Sequence, residues 1–224
     1  MSSAFWKDYF LEQTKLYVDG VLTRVFPPFA KISEEADNAA EQAWRSAMNA
    51  PAWSDRVDES MIAEAARDHG VETYRGLHFL KREVFNSASS GLYHLWEKFT
   101  KELLDHASSW APPILPNPDW LAKAKHDDLL QTFCKSGASI SYETAEELNI
   151  LRLVANVSKH GHGKSFTKLI DREPTLFDAP RSIARPEDLF VGEVRFSKFG
   201  ECILQFWDGV PEYLDSRWAS SDSK

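Results

Sequence analysis

Residues 152 to 168 read RLVANVSKHGHGKSFTK and hold Arg152, Lys159, Lys164, Lys168, His160 and His162 without one carboxylate. The whole chain carries 26 Lys+Arg against 34 Asp+Glu, which leaves 22 basic and 34 acidic residues outside the stretch. A local charge of +4 thus sits in a remainder of −12. Clustered like charge repels itself, and the chemistry that offsets the cost is an anion held among the cations. At ~100° per residue, Arg152, Asn156 and Lys159 share one stripe of a helix, with His160 about 40° from Asn156 and about 80° from Arg152. Gly161 and Gly163 follow, where the backbone can turn and approach a ligand closely. The bland alternative is a solvated helix end, since basic residues complement the negative pole of a helix dipole.

Leu148, Leu151, Val154 and Val157 take another face of the same helix and predict its burial. Ser141 or Thr144 opens that helix, and the glycines after His160 close it. The preceding elements also read as helical. Phe5, Tyr9, Leu16 and Val25 mark an apolar face that lasts until Pro27-Pro28. Ser33 with Glu34 and Glu35 suits a helix start, and that helix runs to about Asn49, before Pro51. A third helix is expected from near Ser54 or Asp55 to Gly70, and a long one over 77–108 with Leu92, Leu95, Trp96, Phe99 and Leu103 on its core face. Trp96, Phe99 and Leu103 are expected to meet Leu151 and Val154. APPILPNPDW is a rigid turn, with Asp119 placed to cap the helix that Gly137 ends. Beyond Pro174, LFVGEVRF has strand character, but Phe196, Phe199, Ile203, Phe206 and Val210 favour a helix to about Asp208.

The expected fold is therefore all-α: a helical bundle with an N-terminal helical extension (1–70), a core (71–171), a C-terminal extended piece plus helix (172–219) and a disordered tail (220–224). At 224 residues, 43% apolar and 27% charged, the chain has the composition of a globular protein with a sizeable core. Cys134 and Cys202 fit no metal spacing, no apolar run reaches the ~18 residues of a membrane span, and the first residues lack a secretory signal, so a reduced, cytoplasmic setting is expected. A net charge of −8 excludes broad coating of nucleic acid, so a polyanion must be held locally.

GHGKS superficially matches a phosphate loop, but the first glycine of that motif would fall at Ser158, and a helix precedes it where a strand is required. His94, Glu97 and His106 lack the paired Glu-x-x-His that a metal-binding bundle uses. No cofactor and no metal are expected.

Over about residues 77 to 171, the helix SSGLYHLWEKFTKELL, the Pro-rich turn and ELNILRLVANVSKHGHGKS resemble the HEPN group of helical domains. The resemblance implies RNA or nucleotide as ligand, a homodimer, and an antitoxin or defence-system partner. Active members cleave RNA without metal, through an Arg, often followed by Asn, His or Asp, and a His after four to six intervening residues. Asn156 and His160 match the Asn-x-x-x-His portion; Ala155 stands where the arginine belongs, and seven residues separate Arg152 from His160. Glu97 matches the polar residue that the preceding helix points at the motif. Metal-free cleavage requires an acid and a base, which His160 would serve, and cations for the phosphorane. Arg152 and Lys159 would clamp the phosphate and Asn156 would orient it. Lys159, Gly161, His162, Gly163, Lys164 and Ser165 would contact RNA. Two functions follow from the same residues. One is a toxin- or phage-defence-type ribonuclease; the other is a catalytically silent module that binds nucleotide, RNA or a protein through the patch from Arg152 to Lys168.

Overall fold

The computed structural model describes residues 3–49, 58–108, 119–212 and 214. The fold is all-α, with no β-strand among these residues. In order come α1 (Ser3–Gly20), a π-helical turn (Val21–Val25), a 3-10 turn (Pro27–Lys31), α2 (Ile32–Met48), α3 (Glu59–Ser108), α4 (Trp120–Lys123), α5 (His126–Lys135), α6 (Tyr142–His160), α7 (Lys164–Arg172) and α8 (Glu193–Gly209). Contacts divide the chain into two compact units, 1–22 with 85–224, and 23–84, so α3 contributes to both.

In the larger unit the core is aromatic. Trp96, Phe133, Phe196, Phe199, Phe206, Trp207 and Phe10 are fully buried. Phe10 stacks on Phe99 at 4.5 Å, and Phe206 meets Trp96 edge-on at 5.4 Å and Phe133 at 5.3 Å. Each buried ring stabilises the fold by about 1.5–3 kcal/mol through the area it removes from water. Leu103, Leu151 and Val154 are also buried, as their spacing predicts, and Leu95 is half-buried. The α8 stripe of Phe196, Phe199, Ile203, Phe206 and Val210 is entirely buried.

Four sequence expectations need correction. Phe5, Tyr9, Leu16 and Val25 are exposed, and the buried face of α1 is Phe10, Thr14 and Val18. A polar residue can occupy that face because the Thr14 hydroxyl donates to the Phe10 carbonyl at 2.8 Å. Ser33 caps nothing: α2 begins at Ile32, without a side-chain cap. Gly70 does not end a helix, since α3 runs unbroken from Glu59 to Ser108. A Cβ there would come within 2.8 Å of Ala40 Cβ and 3.1 Å of the Ala36 carbonyl, so the glycine lets α2 and α3 touch. Asp119 makes no side-chain cap bond, and the helix expected after it is broken at Ala124–Lys125. There Ala124 and His126 are buried, and Asp128 accepts the Lys125 N–H at 2.9 Å to start α5 afresh.

LFVGEVRF forms no strand pair beyond a single bridge, Phe177 with Leu189, and α8 starts within it at Glu193. Its backbone is satisfied by the Phe190 N–H donating to the Leu176 carbonyl at 2.8 Å, and by a side chain. Buried Asn86 donates to the Leu189 carbonyl at 2.7 Å and accepts the Val191 N–H at 3.0 Å. The expected helix start at Ser54 or Asp55, the 111–118 turn and the 220–224 tail lie outside the described residues.

Candidate functional site

α6 carries the cationic stretch, and its frame is well held. Ser141 caps it, accepting the Thr144 N–H at 3.0 Å. Glu147 ties it to α8 through Arg195 at 2.9 Å and Lys198 at 2.6 Å. Leu148, Leu151, Val154 and Val157 are buried as expected, and so are Ile150, Leu153 and Ala155. From Leu148 onward, Asn149, Arg152 and Asn156 are half-buried, and Ser158, Lys159 and His160 are exposed at the helix end. Ala155 is 3% exposed, which places the position of the resemblance's diagnostic arginine in the core.

At its C-terminus α6 closes with the Gly161 N–H donating to the Val157 carbonyl at 2.8 Å. Gly161 (φ 65°) and Gly163 (φ 154°) both take left-handed backbone, where a side chain would be strained. A Cβ added at Gly163 would have nothing within 4 Å, so the main chain there is open to a ligand. α7 then begins with no side-chain cap and no acidic residue in its first turn. The turn joins helix to helix, which agrees with rejecting the phosphate-loop comparison.

The predicted residues fall into two groups. Lys159, His160, His162, Lys164 and Lys168 are exposed around the turn; Ser165 and Gly161 are half-buried. Phe166 is half-buried there too, edge-on to His162 at 5.5 Å and to Phe177 at 5.6 Å. Sequence reading passed over Phe166, although an aromatic between Lys164 and Lys168 was the signal for it. Lys159, Lys164 and Lys168 make no ion pair among the described residues, whereas the cations just beyond do: Arg172 with Glu146 at 2.9 Å, and Arg181 with Asp171.

Arg152 belongs to the second group. Two turns before His160, it lies about 12 Å away along the axis and is rotated by about 80°. Its guanidinium donates to Asn149 Oδ1 at 2.6 Å. Its charge acts on Tyr93 and His126, as does that of Glu97, whose carboxylate pairs with Lys101 at 2.9 Å. The structure thus gathers Arg152 and Glu97 around His126 and does not bring them to His160. Asn156, half-buried, lies one turn before His160 on the same side.

His126 is the ionisable group that the sequence hid. It is 4% exposed, its ring lies 5.2 Å from that of Trp96, and neither ring nitrogen has a hydrogen-bond partner. Burial, then the Arg152 charge, push its pKa down to about 4, against weaker opposing effects of Asp127 and Glu97. Folded chains therefore refuse a proton that unfolded chains accept near pH 6.5, and stability falls as the pH drops from there toward 4. The expected loss is about 2–3 kcal/mol, read from urea unfolding at pH 7 and pH 4.5, and His126→Gln should remove most of that difference. An equal pH dependence in the variant would assign the effect to other groups.

Both thiols are shifted away from the thiolate form. Burial and the neighbouring Glu147 push the Cys202 thiol up to about 12, and burial also raises that of Cys134. No His/Cys/Asp/Glu group with metal-ligand arrangement occurs among the described residues, and no described helix is long and apolar enough to cross a membrane. Among protein-family models, curated proteins and solved structures, none matches this chain.

Proposed function

We propose that the turn between α6 and α7 binds RNA, as a HEPN-like module that holds single strands without cleaving them. One observation carries this reading: Lys164 occupies the first turn of α7, with no carboxylate to neutralise it. Lys159 and His160 suit the negative C-terminal end of α6, so dipole compensation alone explains them. It cannot explain Lys164, because a cation at the positive end of a helix is unfavourable. A phosphate bound between Lys159, Lys164 and the exposed main chain at Gly163 would offset that cost. Phe166 and His162 would offer ring surfaces for an unstacked base, the usual partner of such grooves in single-strand binders.

Cleavage is the second reading, favoured by Asn156 and His160 lying one turn apart with His160 exposed. It needs a cation beside His160 for the phosphorane, a role left to Lys159 or Lys164 because Arg152 is too far along the helix to serve within one chain. His160→Ala separates the two. Under the binding reading, affinity for a single-stranded RNA oligonucleotide falls by no more than about threefold, and wild-type protein leaves the RNA intact in EDTA. EDTA-resistant cleavage that disappears in the variant would replace binding by catalysis.

A further inference from the structure

The unit formed by residues 23–84 buries little apolar surface of its own. Its buried apolar side chains, among the described residues, are Phe26, Ile32, Ala36 and Ala66. From Val71 to Val84 no residue of α3 is buried, although Tyr74 is 42% exposed and Phe79 62%. The unit is in essence a hairpin of α2 and the first half of α3, closed along the seam where Gly70 meets Ala36 and Ala40. Two helices make a single layer, and a single layer leaves one face of each helix without a cover.

Beside the seam runs a groove of about 570 Å³. Trp44, Val71 and Tyr74 supply its apolar walls, and Asp37 on α2 and Arg67 on α3 also line it. Neither of these two charges makes an ion pair among the described residues. We propose that this groove is the contact surface for a second copy of the chain, two hairpins completing a four-helix bundle. Its charge arrangement selects that occupant. A two-fold axis along the hairpin lays α2 of one copy over α3 of the other at the level of the Gly70 seam. Asp37 of each copy then faces Arg67 of the other, so the surface is complementary to itself, which is what a two-fold interface requires. A nucleic-acid strand would meet Asp37 uncompensated, and an all-acidic or all-basic peptide would satisfy only one of the two charges. Trp44 and Tyr74 are aromatic anchors of the kind that dominate interface energetics.

The groove lies outside the residues that carry the HEPN resemblance and does not depend on RNA binding, so the two proposals fail separately. Sedimentation equilibrium on the full chain tests it. Wild type should dimerise with a dissociation constant on the order of micromolar, as small interfaces do. V71D/Y74D, at exposed positions, should weaken the dimer at least about tenfold while the helical circular dichroism is retained. R67D alone should weaken it about tenfold, and D37R/R67D should return to within about threefold of wild type. A wild-type chain that stays monomeric at about 100 µM overturns the proposal. So does a dimer indifferent to V71D/Y74D, or one weakened by R67D that the paired reversal does not restore.

Discussion

Replacing Lys159, Lys164 and Lys168 together with Gln should reduce affinity for single-stranded RNA by about 10²-fold at 0.1 M salt, and leave the fold intact. Each lysine that neutralises a phosphate releases a counterion, so three lost contacts also lower the slope of log affinity against log salt by about 2. All three side chains are exposed and none makes an ion pair among the described residues, so no structural partner is lost with them. Thermal unfolding should move by no more than a degree or two, and removing like charges around one turn should if anything raise the midpoint. A filter-binding titration across salt concentrations reads both quantities. An unchanged slope would mean that the cations serve only the helix ends.

Ala155→Arg is the second large effect, and its direction separates two accounts of the missing arginine. If the chain were a nuclease scaffold that had merely lost a catalytic side chain, restoring arginine would restore cleavage. Ala155 instead lies 3% exposed on the buried side of α6, beside Val154 at 0%. A guanidinium there has no carboxylate of α6 within reach on the same face and would be taken out of water unpaired. The expected cost is about 4 kcal/mol or more, a large fraction of the ~5–15 kcal/mol that holds an ordinary domain folded. Urea unfolding of the purified variant measures it. A folded variant with wild-type stability would show that the helix can turn this face outward, and would reopen the catalytic reading.

Much of the helical frame was legible because it depends on local rules. Ser141 and the glycines after His160 bound α6 as their capping chemistry dictates, and the α8 stripe follows from helical spacing alone. What misled was the glycine at 70 and the aromatics of α1. A glycine can end a helix or let two helices touch, and only the approach of Ala36 and Ala40 distinguishes these. Phe5, Tyr9 and Leu16 are apolar enough to define a face, yet burial fell to the Phe10–Thr14–Val18 side, where Phe99 stacks on Phe10. Of the candidate site, the run from Lys159 to Lys168 was readable as a charge anomaly. The separation of Arg152 from it was not, because only tertiary packing could set Arg152 beside a buried His126. Nothing in KAKHDDLL signals that its histidine faces inward.

The central claim is that the backbone and lysines of the α6–α7 turn touch an RNA phosphate. Photo-crosslinking of a short single-stranded RNA to the full chain, followed by peptide mapping, tests it most directly. Adducts should concentrate between Lys159 and Lys168, with Phe166 among them, and disappear in the triple lysine variant. Adducts that map elsewhere, or that survive the loss of those lysines, would contradict it.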